Sequence, residues 1–130
     1  PHGLRVPKLR NVDQMSIQKI GEELKNTSQL CRELKIDKKE FFGGSMTISS
    51  LGGIGGTHFT PIINPPEVAI LGVGRTFDRL VKEKNQIVSK KILPISLSYD
   101  HRLIDGAEGA RFCVYLGKCL GKDFAFKLAV

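Results

Sequence analysis

Residues 93–112, LPISLSYDHRLIDGAEGARF, constrain the fold more tightly than any other stretch of the chain. Leu93, Ile95, Leu97 and Tyr99 alternate with Pro94, Ser96 and Ser98. Alternation at period two predicts a strand with one face buried. The polarity then changes abruptly through Asp100, His101, Arg102 and Asp105 to Gly106. Beyond Gly106 the spacing turns helical, with Ala110, Cys113, Val114, Gly117 and Leu120 on one stripe and an end expected near Lys122. A strand, a polar turn and a helix therefore place His101 at the end of a rigid element, which is a good position for a catalytic base. The pattern His-x-x-x-Asp is too short to decide the matter. A histidine at a strand end is more often structural or solvent-exposed, so the rest of the chain must be weighed.

Taken in order, Gly3–Val6 predicts a short strand. A helix follows, with Ser16 as its N-cap and Ile17, Ile20, Leu24, Cys31 and Leu34 on one stripe, packed on a sheet. Residues 35–44, KIDKKEFFGG, are expected to form a loop. Ser45–Ser50 alternates again, with Met46 and Ile48 on one face and Thr47 and Ser49 on the other. The Gly- and Pro-rich residues 51–67 form a structured loop. Their glycines permit close approach to another chain or a ligand. Val68–Val73 is continuously apolar, as in a strand buried on both faces. Arg75–Lys91 reads as an exposed hairpin with its turn at Lys84–Gln86, after which Ile92 re-enters the core. Phe124, Phe126 and Leu128 form an apolar tail.

Length and composition bound the function. A chain of 130 residues suffices for one domain with a real core. The apolar content of 41% and charged content of 25% are those of a soluble globular protein. No apolar run approaches a membrane span, and no signal peptide opens the chain. A chain that begins at Pro1 is expected to be a piece of a longer one. The net charge of +7 would suit an anionic partner. The basic residues are nevertheless scattered, often beside acids, and lack a nucleic-acid-binding motif, so they read as solvated surface. Cys31, Cys113 and Cys119 are odd in number and contain no CxxC pair. They read as reduced thiols of an intracellular protein.

Several chemistries fail on spacing. No Lys-Ser/Thr follows the glycines at 52, 53, 55 and 56, and no GxGxxG is present, which removes both phosphate-loop readings. His2, His58 and His101 lack metal-ligand spacing, so no metal is expected. Cys113 sits on an apolar helical stripe, which argues against a Cys–His nucleophile. One arrangement survives, with His101 as general base and Ser49 as hydroxyl donor. Ser49 lacks a Gly-x-Ser-x-Gly elbow, so it is not expected to be the nucleophile. A base without a protein nucleophile points to attack by a substrate group. A thiol fits, because neutral imidazole can take its proton near pH 7.

Three segments carry a specific resemblance: TISSLGGIGGTHFTPIINPPEVAILGVGR, LPISLSYDHR and DHRLIDGAEGARF. They resemble the catalytic domain of the dihydrolipoyl acyltransferases, the acyltransferase components of 2-oxoacid dehydrogenase complexes. The opening GLRVPKLRNVDQMSIQKIGEEL is similar to the same domain. The HxxxDG motif that this family shares with chloramphenicol acetyltransferase matches His101, Asp105 and Gly106. The wording of residues 47–64 is most similar to the acetyltransferases of pyruvate dehydrogenase complexes, with the branched-chain acyltransferases next.

The resemblance implies an α/β fold, a two-layer sandwich with a mixed sheet. It implies that residues 1–130 are the C-terminal part of the catalytic domain, with the lipoyl and subunit-binding domains absent. The implied reaction is acyl transfer between dihydrolipoamide, carried on a separate lipoyl domain, and coenzyme A as substrate. By the same resemblance His101 deprotonates the coenzyme A thiol, Ser49 donates to the tetrahedral oxyanion and Asp105 fixes the loop. The implied assembly is a homotrimer that builds a larger core and works with the 2-oxoacid decarboxylase and dihydrolipoyl dehydrogenase. In that assembly His101 of one subunit faces Ser49 of its neighbour. No nucleic acid and no membrane is expected as a partner. The implied compartment is the cytoplasm of a bacterium or the mitochondrial matrix of a eukaryote. The competing expectation is a non-catalytic core fragment.

Overall fold

In the computed structural model, which describes residues 4–121 and 124, one short strand organises the second part of the chain. This strand, β2 (Ala69–Val73), holds the buried apolar core, Ala69, Ile70 and Leu71. It pairs in parallel with β1 (Thr47–Ser50) and antiparallel with β5 (Ile95–Tyr99), which gives a mixed sheet in the order β1-β2-β5. A continuous apolar run suits this central place, because both of its faces are covered. Between β2 and β5 the chain makes the expected hairpin, β3 (Phe77–Glu83) with β4 (Gln86–Ile92). Its turn residues, Lys84 and Asn85, both have positive φ, as a two-residue hairpin turn with the matching twist requires. Ile92 pairs with Phe77 and ends β4, and the next strand starts only at Ile95.

The register sorts the side chains between two faces. Ser49, Gly72 and Ser96 lie on one level of the sheet and share a face with Thr47, Ile70 and Ser98. The opposite face carries Ile48, Ala69, Leu71, Leu97 and Tyr99, and it receives the helix α2 (Gly106–Cys119). The helix approaches the sheet closely at Gly109, where an added Cβ would lie 2.8 Å from the Tyr99 ring. This is the two-layer α/β arrangement expected. The inward stripe of α2 is Gly109, Cys113 and Leu116, whereas Ala110 and Val114, assigned inward from sequence, are exposed. The helix also ends at Cys119, short of the expected Lys122.

The described residues fall into two units, residues 4–44 together with Phe124, and residues 45–121. The first contains α1 (Ile17–Arg32), capped by Ser16, whose hydroxyl accepts from the Lys19 N–H. Leu34 lies past the end of the helix with φ 58°. Among its described residues this unit holds no strand. Leu4–Val6 is irregular, not the expected strand, and Gly3 lies outside the described residues. The segment instead runs beside a 3-10 turn at Lys38–Phe41. There Lys8 N–H donates to Glu40 O, Arg10 pairs with Glu40, and Arg5 lies over the Phe41 ring. The apolar tail beyond Phe124 also lies outside the described residues.

Gly74 is fixed by close approach, since a Cβ there would come 2.1 Å from the carbonyl oxygen of Thr57. Gly53 faces open space. Gly74→Ala is therefore expected to destabilise the fold by roughly 3 kcal/mol or more, as overpacking against backbone does. Gly53→Ala should change little. Paired thermal melts followed by circular dichroism test this, and equal melting temperatures for the two variants would refute it.

Candidate functional site

The turn after β5 is held by one residue, Asp100. Its N–H donates to Val68 O at 2.8 Å, which extends the sheet ladder by one step. Its carbonyl accepts from Leu103 N–H and Ile104 N–H, both at 3.0 Å. Its carboxylate accepts from Arg102 N–H at 3.0 Å and from the Arg102 guanidinium at 2.9, 3.1 and 2.5 Å. An aspartate that accepts from the backbone two residues on is an Asx turn. This one presents His101 outward, with its side chain exposed to solvent.

The guanidinium of Arg102 holds the Asp100 carboxyl well below its ordinary 3.8, at about 2, with the Arg102 backbone N–H adding to the effect. The same pairing raises Arg102. Asp100 is therefore ionised at neutral pH.

Asp105 is the N-cap of α2. Its carboxylate accepts from Glu108 N–H at 2.7 Å, which satisfies one of the four free N–H groups of the first turn. A carboxylate used in this way anchors the start of the helix. The ring of His101 rests near that of Tyr99, with centroids 5.7 Å apart and planes tilted by 42°. His101 opens onto a cleft of about 500 Å³ whose other wall is formed by Ile63, Pro65, Pro66 and Glu67. Glu67 is itself tied down, accepting from the Thr47 hydroxyl at 2.5 Å. Thr47 is the buried polar residue at the start of the strand that carries Ser49.

Ser49 is not part of this cleft. It stands three levels along the sheet from Tyr99 and two strands across, on the face away from α2. At about 3.3 Å per residue and 4.8 Å per strand, the Cα atoms of Ser49 and Tyr99 are about 14 Å apart, and His101 lies further on. A single copy of the chain therefore brings His101, Asp100 and Asp105 together and leaves Ser49 at a distance. The residue that spacing did not single out is Asp100. The signal was present, because an acid two positions before an arginine at a strand end predicts an Asx turn. Among the described residues no cluster of three metal-binding side chains occurs.

The family model for the catalytic domain of 2-oxoacid dehydrogenases acyltransferase matches residues 1–125. A curated relative is the dihydrolipoyllysine-residue acetyltransferase component of the pyruvate dehydrogenase complex of Cupriavidus necator. It is 47% identical over 124 residues, covering 95% of this chain and 22% of the relative. A solved structure of Azotobacter vinelandii dihydrolipoamide acetyltransferase concerns the roles of a serine, a histidine and an asparagine in its catalytic mechanism. It matches with a TM-score of 0.90 at 47% identity, over 96% of this chain and 51% of that one. The cubic core of the pyruvate dehydrogenase multienzyme complex matches with a TM-score of 0.90 at 46% identity, over 96% and 51%. The chain thus spans about half of the solved catalytic cores and about a fifth of the curated relative.

The depressed value at Asp100 fixes the sign of its acid sensitivity. A folded value below the unfolded one stabilises the turn above about pH 4, and that contribution is lost as pH falls toward 2. The Asp100 carboxyl carbon, followed by NMR, should titrate with its midpoint near 2. A midpoint at the ordinary 3.8 would show that Arg102 does not hold it.

Proposed function

This chain belongs to the catalytic-domain family of the 2-oxoacid dehydrogenase acyltransferases, and on that premise we propose that it carries the carboxyl-terminal half of a dihydrolipoamide acetyltransferase site of a pyruvate dehydrogenase complex. The substrates are coenzyme A and an acetyl group carried as a thioester on dihydrolipoamide. The observation that carries this reading is a spacing. In the Azotobacter enzyme the serine precedes the histidine by 52 residues and the asparagine follows it by four. The same intervals here fall on Ser49, His101 and Asp105. The exchange of asparagine for aspartate suits the N-cap role of Asp105, since both side chains accept from a helix N–H.

In this mechanism a ring nitrogen of His101 takes the proton of the coenzyme A thiol. The thiolate attacks the thioester carbonyl, and the Ser49 hydroxyl donates to the oxyanion that forms. Collapse of the tetrahedral intermediate breaks the bond to the dihydrolipoamide sulfur, which recovers the proton from the imidazolium. Acetyl-coenzyme A and dihydrolipoamide leave, and the proton count closes. Asp105 and Asp100 hold the turn and exchange no proton.

The distance between Ser49 and His101 within one copy supports a site shared by two copies. A trimer with a cyclic, head-to-tail interface repeats such a site three times. Trimers of this kind, built into a larger core, would be supplied by lipoyl domains and would work beside the decarboxylase and dihydrolipoyl dehydrogenase. The compartment is the cytoplasm of a bacterium or the mitochondrial matrix. A second reading, a fragment that turns nothing over by itself, draws on the uncovered apolar face at Ile48, 67% exposed, and Met46, 37% exposed. Thioester exchange between acetyl-coenzyme A and free dihydrolipoamide, with these 130 residues as the only protein, distinguishes the two readings.

In the assembled enzyme, His101→Ala should lower kcat by ~10²–10⁴-fold without loss of fold. More than a tenth of the parent turnover would sink the assignment. Ser49→Ala should lower kcat by ~10²–10³-fold while KM holds, whereas a change confined to KM would make Ser49 a binding residue.

The shared site makes a further prediction. When inactive His101→Ala and Ser49→Ala subunits are refolded together in equal amounts, about a quarter of the sites should regain both intact residues. If mass spectrometry confirms mixed trimers and activity stays at the level of the separate variants, the site is not shared.

A further inference from the structure

The orientation of the His101 imidazole has a single visible support. Among the described residues its side chain makes no hydrogen bond or ion pair, and its one ring contact is with Tyr99. Tyr99 is the last residue of β5 and pairs with Ala69 in the best-buried part of the sheet. Its ring runs along the first turn of α2 in a groove with glycine on both sides. A Cβ at Gly109 would meet Tyr99 Cε1 at 2.8 Å and Cζ at 3.1 Å, and one at Gly106 would come 3.9 Å from the hydroxyl. Gly109 is buried, and neither its φ nor that of Gly106 lies in the left-handed region. The absence of a side chain at Gly109 therefore serves the ring and not the backbone. One edge of the ring is held against the helix, and the ring centroid lies 5.7 Å from that of His101.

We propose that Tyr99 is a positioning residue for His101, its ring seated in the Gly106–Gly109 groove and forming the surface that sets the direction of the imidazole. The proposal rests on the reading of His101 as the base. It explains why the strand, the helix start and the histidine come as one block. The Asp100 turn fixes the backbone of residue 101, and Tyr99 removes the remaining freedom of its ring. An imidazole pointed away from the thiol by a fraction of an ångström loses rate while the binding of coenzyme A is unchanged.

The test uses four variants of the full-length, assembled enzyme, with kcat, KM for coenzyme A and melting temperature measured on each. Tyr99→Phe keeps the ring and should stay within about twofold of the parent kcat. Tyr99→Leu removes the ring and should lower kcat about 10–100-fold with KM unchanged. Gly109→Ala displaces the ring and should lower kcat and melting temperature together. The exchange variant, Tyr99→Val with Gly109→Ala, returns volume to the groove without a ring. It should recover melting temperature relative to Gly109→Ala while kcat stays low.

If kcat recovers in step with melting temperature in the exchange variant, Tyr99 acts through stability alone and the proposal is overturned. Parent-like turnover in Tyr99→Leu overturns it too. His101→Ala, assayed beside them, separates the two ideas. An inactive His101→Ala with an active Tyr99→Leu rejects the positioning role only, whereas an active His101→Ala rejects the reading of the base.

Discussion

The placement of β2 between one parallel and one antiparallel neighbour is the constraint from which the rest of the second unit follows. Three consecutive residues, Ala69–Leu71, supply the buried apolar core. With so short a core, the neighbours must come close, and Gly72 of β2 and Gly74 just past its end allow this. The Phe59 ring comes within 3.0 Å of where a Cβ of Gly72 would be, and Thr57 packs against Gly74. The loop before β2 thus covers the face that holds Ser49, and α2 packs on the other at Tyr99, leaving Ile48 of β1 exposed. A Cβ at either glycine would push the loop off the sheet and uncover the core.

Register converts this packing into chemistry. Antiparallel pairing of β2 with β5 carries the chain back past Ala69, and one more ladder bond, from Asp100 N–H to Val68 O, sets where the strand stops. The carboxylate and carbonyl of Asp100 then gather three following N–H groups, and Asp105 caps the helix five residues on. The N–H groups of Arg102, Leu103 and Ile104 each find an acceptor on Asp100, which ties the turn down without burying it. An exposed histidine on a rigid turn combines access for a substrate with a fixed direction. The same register sends Ser49 to the other end and the other face of the sheet. For that reason the proposed reaction is written across two subunits.

The apolar side chains left uncovered are consistent with a chain that spans about half of the catalytic cores it matches. Ile48, Ile54, Ile62 and Leu103 are all more than 60% exposed. All four lie in the second unit, on or beside the elements that carry Ser49 and His101. Exposed apolar side chains of this kind would suit the shared assembly proposed above. A site shared between copies would use that surface.

The sequence by itself determined the strands of the sheet, the hairpin, the Ser16 cap of α1 and the position of His101 at a strand end. Those features follow from local period, turn chemistry and capping, which are written in residues close together in the chain. It placed Cys113 correctly on the inward stripe of α2 but took Ala110 and Val114 where the structure has Gly109 and Leu116. Apolar periodicity counts side chains, and the residue closest to the sheet is a glycine, chosen for the Tyr99 ring that lies where its side chain would be. It also expected a strand at Gly3–Val6, where Leu4–Val6 finds no neighbouring strand and runs irregularly beside the turn at Lys38–Phe41. Only the tertiary structure decided that Ser49 and Tyr99, the strand residue that leads into the His101 turn, stand on opposite faces and toward opposite ends of one sheet. Register and strand order join residues distant in sequence, and no local preference encodes them.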